Sequence, residues 1–204
     1  RPRVPPRHRR RDRGLVGAAR SLAFGGAVLA LWALAVGAGA QRLEAVGACR
    51  DGVPNGAYEL YQADGRLRAV GAFAQGRRTG TFIFWTGDGA RLGVVPYSDD
   101  VRNGTIALWH TTRGSGRELR PKSEAPYVDG KPHGIKRSWY RSGRPELEAR
   151  YERGELREVK AWTGAGLALG DTDARALAAT ELSSDDELYA GLDALVRDHR
   201  PRCD

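Results

Sequence analysis

Glycines recur at a fixed spacing through the middle of the chain, and this repeat constrains the fold more than any other feature. Three of the glycine pairs that have three residues between them define the repeat: Gly52/Gly56, Gly76/Gly80 and Gly130/Gly134. The second glycines, together with Gly104, lie at positions 56, 80, 104 and 134, which are steps of 24, 24 and 30 residues. A period of this length indicates a repeat protein, in which each unit packs on its neighbours to bury its apolar face.

Aromatic residues keep the same period in two further classes of position. One class follows each second glycine by five residues: Tyr61, Trp85, Trp109 and Trp139. The other precedes the next first glycine, or Asp100 in its place, by three residues: Phe73, Tyr97, Tyr127 and Tyr151. A fifth, degenerate unit begins at Tyr151. Because several classes of position recur in step, the period is not a chance alignment of a few glycines.

Each unit is predicted to be a β-hairpin. Turn dipeptides that accept positive φ occur at Asp64-Gly65, Asp88-Gly89 and Ser142-Gly143, between short segments rich in aromatic and aliphatic residues. A single hairpin is marginally stable in water, so consecutive hairpins are expected to stack side by side. The sequence therefore predicts an all-β repeat array over residues 47–166 that forms one elongated sheet.

Two stretches carry a resemblance to a known family. Residues 51–65 (DGVPNGAYELYQADG) and 127–134 (YVDGKPHG) resemble MORN repeats, in the longer bacterial variant labelled as YwqK-type antitoxins. The third unit is degenerate and the fifth is truncated relative to that pattern. The resemblance implies stacked β-hairpins that serve as a scaffold or as a binding module for proteins or lipids, without a defined catalytic chemistry.

The N-terminal region differs from the repeats and predicts export. Residues 1–20 contain eight arginines and one aspartate, and no charged residue follows until Arg42. An apolar segment of this length, residues 21–41, is expected to form a transmembrane helix or a signal peptide with the repeats on the far side of the membrane. Cleavage after Ala40, an uncleaved anchor and a lipoprotein are alternatives; a buried core helix is the alternative without export.

The location of the charge argues against a nucleic-acid partner. The chain has a formal net charge of +8, but residues 1–20 contribute +7 of it and the remainder only +1. Because phosphate binding requires many cations, the near-neutral repeat region is not expected to bind nucleic acid.

The pattern changes after the repeats, and residues 167–204 are predicted to form a short helical cap and tail. Residues 171–182 favour one helix, and a second is expected to begin at the capping box of residues 184–187 and to end near His199. The cap is expected to pack on the last hairpin, where it would cover the open edge of the sheet. Recruitment of a partner by one of these helices is the alternative.

Cys49 and Cys203 are the two cysteines, and both lie in the exported part of the predicted topology. An even number of cysteines in an oxidising compartment permits a disulfide. An extended array is expected to hold its two ends far apart, which favours unpaired or intermolecular thiols. Both alternatives stay open.

No catalytic, cofactor or metal site is predicted. The four histidines do not fall in a metal-ligand spacing, and there is no nucleophile elbow, P-loop or dinucleotide-binding motif. Adjacent acids such as Asp99-Asp100 and Asp185-Asp186 belong to a turn and a helix cap. The chain is therefore not expected to be an enzyme.

Two places are candidates for binding, and the alternatives without a ligand are core packing for the first and a solvated loop for the second. Three aromatics of the repeats, Trp109, Trp139 and Tyr140, are candidate contacts, although most repeat aromatics are expected to form the core. The longer third unit adds residues within 111–126 that are expected to form a loop, and insertions in repeat proteins often form the binding face. Its candidate binding residues are Arg113, Arg117, Arg120 and Lys122.

The sequence thus predicts a membrane-anchored or exported, non-catalytic binding or scaffold module with a protein partner and, as an alternative, a lipid. Neutralisation of a toxin is the second candidate function, on the strength of the family resemblance. A hydrolase acting on the cell wall is a distant third, because no catalytic pair of acids is recognised.

Overall fold

The structure is a computed structural model that describes residues 42–111 and 118–204. It contains twelve strands and one helix. The strands are β1 (Leu43–Arg50), β2 (Val53–Gln62), β3 (Leu67–Ala74), β4 (Arg77–Trp85), β5 (Arg91–Ser98), β6 (Val101–Arg102), β7 (Gly104–Thr111), β8 (Glu118–Val128), β9 (Lys131–Pro132), β10 (Gly134–Trp139), β11 (Pro145–Glu152) and β12 (Glu155–Ala161); the helix is α1 (Asp171–Asp198). The predicted segments at residues 1–20 and 21–41 lie outside the described residues.

The strands form one open antiparallel sheet. Ten of them follow the order β1-β2-β3-β4-β5-β7-β8-β10-β11-β12, while the short strands β6 and β9 pair with β5 and β8. Neighbours in the sheet are therefore neighbours in the chain, as expected for consecutive hairpins. The expectation of an antiparallel sheet built from hairpin-like strands is confirmed.

The turn dipeptides lie at the hairpin tips. Gly65, Gly89 and Gly143 have φ values of 83°, 92° and 85°, a region that side chains with a Cβ rarely adopt. Each of these glycines donates its amide to the carbonyl three residues earlier, over 2.9, 3.1 and 2.7 Å. The same local turn therefore closes three hairpins of the array.

A single helix follows the sheet, which corrects the prediction of two. Residues 182–184 contain neither glycine nor proline, so nothing in the backbone ends the first helix there. The predicted capping box does not start a helix, because α1 runs without interruption from Asp171 to Asp198. The acid at Asp185 is buried against the sheet instead of lying at an exposed helix terminus.

The helix crosses one face of the whole sheet instead of capping the last hairpin alone. Its 28 residues correspond to about 42 Å at the rise of an α-helix. Ten strands are nine spacings wide, or about 43 Å at the usual distance between strands. The length of α1 therefore matches the width of the sheet.

The apolar core lies between α1 and the sheet in two clusters. The larger cluster joins strands β2 to β8 to the C-terminal half of α1: Tyr58, Leu60, Ala69, Phe73, Phe82, Phe84, Val95, Tyr97, Ile106, Leu108, Ala125, Tyr127, Tyr189, Leu192 and Val196. The smaller joins β11 and β12 to its N-terminal half: Leu147, Ala149, Tyr151, Ala161, Ala174 and Ala178. Repeat positions thus supply the core, as expected for stacked hairpins.

The C-terminal tail returns to the first strand. The hydroxyl of Tyr58 on β2 donates to the carbonyl of His199 over 3.0 Å. Cys49 and Cys203 form a disulfide, with their Cα atoms 5.7 Å apart. The wide separation that favoured free thiols does not occur, because α1 carries the chain back across the sheet from β12 to β1.

No helix within residues 42–111 and 118–204 is both long and apolar enough to cross a membrane.

Candidate functional site

The face of the sheet opposite the two core clusters, here called the open face, carries side chains that are less buried than those that pack against α1. Its centre is a single transverse row that can be followed from strand to strand by register. The row consists of Val46, Glu59, Val70, Ile83, Val94, Ala107, Glu124, Arg137, Glu148 and Lys160. The members from strands β3 to β7 are only partly buried, whereas their neighbours on the helix face are almost inaccessible.

The two ends of this row differ in chemistry. Val70, Ile83, Val94 and Ala107 form an apolar half on four successive strands. The other half alternates in sign, and the guanidinium Nε of Arg137 lies 3.3 Å from Oε2 of its register partner Glu148. One ion pair thus joins two members of the charged half, while the members of the apolar half belong to neither core cluster.

A second transverse set, the aromatic row, borders the open face near the hairpin tips. It consists of Tyr61, Trp85, Trp109 and Trp139, each at an irregularity of strand pairing. Successive members are two strands apart, about 9.5 Å at the usual strand spacing. Tyr61 donates its hydroxyl to Glu59 over 2.6 Å, which places it on the same face as the central row. The guanidinium carbon of Arg91 lies 4.0 Å from the centre of the Trp109 ring.

The binding residues predicted from the sequence are divided between two locations. Trp109 and Trp139 belong to the aromatic row. The hydroxyl of Tyr140 instead donates to the carbonyl of Trp162 over 2.7 Å and joins the fourth hairpin to the chain after β12. Arg113 and Arg117 lie outside the described residues.

The two other cations of the predicted loop contact the protein itself. Much of the range 111–126 is strand, because β8 begins at Glu118. The guanidinium of Arg120 lies against the tip glycine Gly143 of the next hairpin. Lys122 points towards α1, where its Nζ lies 2.9 Å from Oδ1 of Asp185.

Between the two core clusters lies a buried polar seam formed by Ser123, Lys136, Ser138 and Asp185. Lys136 and Asp185 are each 1% exposed, and Nζ of Lys136 donates to Oδ2 of Asp185 over 2.7 Å. The hydroxyl of Ser123 lies 3.5 Å from the same oxygen. With Lys122 on the other oxygen, one buried carboxylate holds two lysines from neighbouring strands.

The seam was not predicted, although the repeat contains its signal. Two and four residues after the second glycine, the first three units have apolar pairs: Tyr58/Leu60, Phe82/Phe84 and Ile106/Leu108. The fourth unit has Lys136 and Ser138 at these positions. Polar residues at core positions of a repeat indicate a buried partner, which here is Asp185 on α1.

A second ionic junction anchors the C-terminal half of α1. Arg78 and Arg102 precede the second glycines of their units by two residues, and both guanidinium groups contact Asp193. The hydroxyl of Tyr97 donates to the same carboxylate over 2.6 Å. Burial, and then this hydrogen bond, raises the pKa of Tyr97. Equivalent positions of two repeats thus converge on one acid of the helix.

Two further groups near the seam have shifted pKa values. Burial and the nearby Glu181 carboxylate raise the pKa of Glu146. Burial lowers the pKa of Lys122, but Asp185 outweighs it, and the net shift is upward. No group of histidine, cysteine, aspartate or glutamate side chains suited to a metal ion occurs in the part of the chain that the structure describes.

Comparison with protein-family profiles and with curated proteins finds no match to this chain.

We expect the protein to lose stability steeply above pH 10. Burial raises the pKa of five core tyrosines: Tyr58, Tyr97, Tyr127, Tyr151 and Tyr189. The unfolded chain releases these protons near pH 10, whereas the folded chain retains them to higher pH. The stability is therefore fully present below pH 10 and is lost by about 1.4 kcal/mol per pH unit for each tyrosine above it. Urea midpoints at pH 8, 10 and 11 measure the effect.

Tyr189→Phe is the matched control for this titration. The hydroxyl of Tyr189 is buried and has no hydrogen-bond partner among the described residues, so its removal is expected to preserve stability at pH 8. The variant is expected to lose less stability between pH 10 and 11 than the native chain. A urea midpoint that stays constant up to pH 11 would contradict the burial of the tyrosines.

Proposed function

We propose that the chain is a non-catalytic binding module of the MORN type, anchored at a membrane or exported, and that its open face binds a protein partner. The observation that carries the proposal is the apolar half, Val70, Ile83, Val94 and Ala107, beside the aromatic row. These four side chains are partly exposed and contiguous, and an apolar patch at a protein surface marks an interaction site. Tyrosine and tryptophan are enriched at protein interfaces.

The architecture supports a protein rather than a small molecule as the partner. Within residues 42–111 and 118–204, α1 occupies one face of the sheet, so the open face is its other broad surface. A cavity of about 340 Å³ lies at the charged end of this face, beside Glu148, Arg150 and Lys160, and not at the apolar half. The repeat makes it modular, since each hairpin contributes equivalent positions.

Two observations favour export and the MORN assignment. A disulfide between Cys49 and Cys203 suits an oxidising compartment. The hairpins follow the 24-residue period on which the resemblance to MORN repeats depends. Neutralisation of a toxin would be one case of binding a protein partner, and the open face is where we would expect the toxin to bind.

The proposal is tested by cross-linking from defined positions. A photoreactive residue is placed at Ile83 in the apolar half, and matched controls carry it at Glu148 in the charged half and at Ser183 on the exposed side of α1. The full chain is expressed in its native host and irradiated in intact cells. We expect one discrete protein adduct from position 83 and none from the two control positions, 148 and 183.

A variant that charges the apolar half completes the test. Val94→Lys is expected to weaken binding of the adduct protein by about 2 kcal/mol, roughly 30-fold, as for an anchor residue of an interface. Arg137→Gln in the charged half is the control and is expected to have little effect. Equal adducts from all three positions, or unchanged binding by Val94→Lys, would refute a partner site on the open face.

A further inference from the structure

The two edges of the sheet are protected to different extents. On β12, four of seven residues are charged: Glu155, Arg157, Glu158 and Lys160. Arg157 forms ion pairs with Glu152 and Glu155, over 3.1 and 2.9 Å. Charged side chains along an edge strand prevent the addition of a further strand. The β12 edge is therefore protected against pairing with a further strand.

The β1 edge lacks this protection. Its eight residues, Leu43–Arg50, carry charges only near the two ends, with the uncharged run Ala45-Val46-Gly47-Ala48 between them. Val46 is 52% exposed. Among the described residues β1 pairs with β2 alone, so one side of its backbone has no hydrogen-bond partner there.

The C-terminal tail does not fill this edge. Gly47 is the register partner of Tyr58, which faces α1, and Pro201 lies in the space that a Cβ at position 47 would occupy. The tail thus lies over the helix face of β1. No backbone hydrogen bond joins residues 199–204 to β1 in the described chain. The free backbone groups point sideways, where another strand can pair with them.

We propose that β1 pairs with β1 of a second copy of this chain, in antiparallel register centred on Gly47. In that register Glu44 lies opposite Arg50 of the second copy, and Val46 lies opposite Ala48. The two-fold symmetry repeats the ion pair, so each dimer contains two. Opposite charges on directly opposed residues stabilise an antiparallel pair.

Charge complementarity favours a second copy as the occupant. Neither Glu44 nor Arg50 has an ion-pair partner among the described residues, although both are exposed. The strand is complementary to itself in the antiparallel direction, which is the requirement of a two-fold interface. Such pairing closes after two copies, because β12 is protected, and it joins the two open faces into one surface. The inference does not depend on what the open face binds.

The test is co-purification of two differently tagged full-length copies, expressed together and extracted in mild detergent. We expect native copies to co-purify. Glu44→Arg in both copies places two arginines opposite each other, and Arg50→Glu in both copies places two glutamates opposite each other. Each variant alone is therefore expected to lose co-purification at least 10-fold.

The decisive arm mixes the two variants. A copy with Glu44→Arg and a copy with Arg50→Glu regain both opposed charge pairs, so we expect them to co-purify as well as native copies. Glu155→Arg on β12 is the control and is expected to change nothing. Failure of native copies to co-purify overturns the proposal, and so does a mixture that recovers no better than either variant alone, the result expected if β1 pairs with a different protein.

Discussion

Asp185→Ala is expected to lower the free energy of unfolding by about 3–5 kcal/mol, the usual cost of removing one partner of a buried ion pair. The reason is that Lys136, 1% exposed, would keep its charge in the core without a carboxylate. Lys122 would be less affected, because it is partly exposed and Glu181 lies 4.0 Å from its Nζ. Urea unfolding of the full chain, followed by tryptophan fluorescence, measures the loss.

The control for this prediction replaces both buried charges. Lys136→Ile with Asp185→Leu gives the fourth unit an apolar residue like Ile106 at the equivalent position of the third. Removal of a buried pair in favour of apolar side chains is often neutral or stabilising, and Lys122, which also loses Asp185, is partly exposed and keeps Glu181 nearby. We expect the double variant to be at least as stable as the native chain. If Asp185→Ala alone also left the free energy of unfolding unchanged, the ion pair between Lys136 on β10 and Asp185 on α1 would not hold the helix against the sheet.

A double variant as stable as the native chain would also indicate the role of the seam. A buried pair that adds no net stability can still determine which arrangement forms, a role that is best established for polar residues that fix register. Four acids of α1 meet cations of the sheet, and an apolar helix could slide along a sheet of similar hairpins. In the double variant we expect α1 to pack on the sheet in more than one position. Exchange between these positions would broaden the amide resonances of the helix.

Local features of the sheet could be predicted from the sequence because they depend on short-range chemistry. Gly65, Gly89 and Gly143 lie at hairpin tips because the turn requires positive φ, which Asp-Gly and Ser-Gly dipeptides accept. The aromatics Phe73, Tyr97, Tyr127 and Tyr151 are in or beside the core because the period of the repeat aligns them on one face. For such residues the sequence neighbours determine the structure.

The course of the helix could not be predicted, because it depends on contacts between residues far apart in the chain. Ser184 and Glu187 have the spacing of a capping box. That local pattern gives no information about the ion pairs of Asp185 with Lys122 and Lys136, which bury it against the sheet. The two lysines that contact Asp185 lie 49 and 63 positions before it in the chain. The open face was missed for a related reason: which face α1 covers is decided only when the helix packs.

Cys203→Ser is expected to have the largest effect on stability of any single substitution in the tail. The disulfide joins residues separated by 154 positions, and a cross-link over such a loop stabilises the folded state by about 5 kcal/mol in the chain-entropy account. Loss of the bond should release residues 199–204 from β1 while the hairpins stay formed. Urea midpoints of the native chain and the variant, each with and without reductant, measure the change.

Reductant separates the bond from the side chain that was replaced. The native chain in reductant should match Cys203→Ser, Cys49→Ser should match both, and reductant should have no effect on either variant. Pro201→Ala, which keeps the disulfide but removes part of the ring packed on Gly47, is expected to cost no more than about 1 kcal/mol. If the native chain kept its urea midpoint in reductant, the hydrogen bond from Tyr58 to His199 and the ionic contacts of α1 would suffice to hold the tail. In that case the return of the chain to β1 would depend on the helix and not on the cross-link.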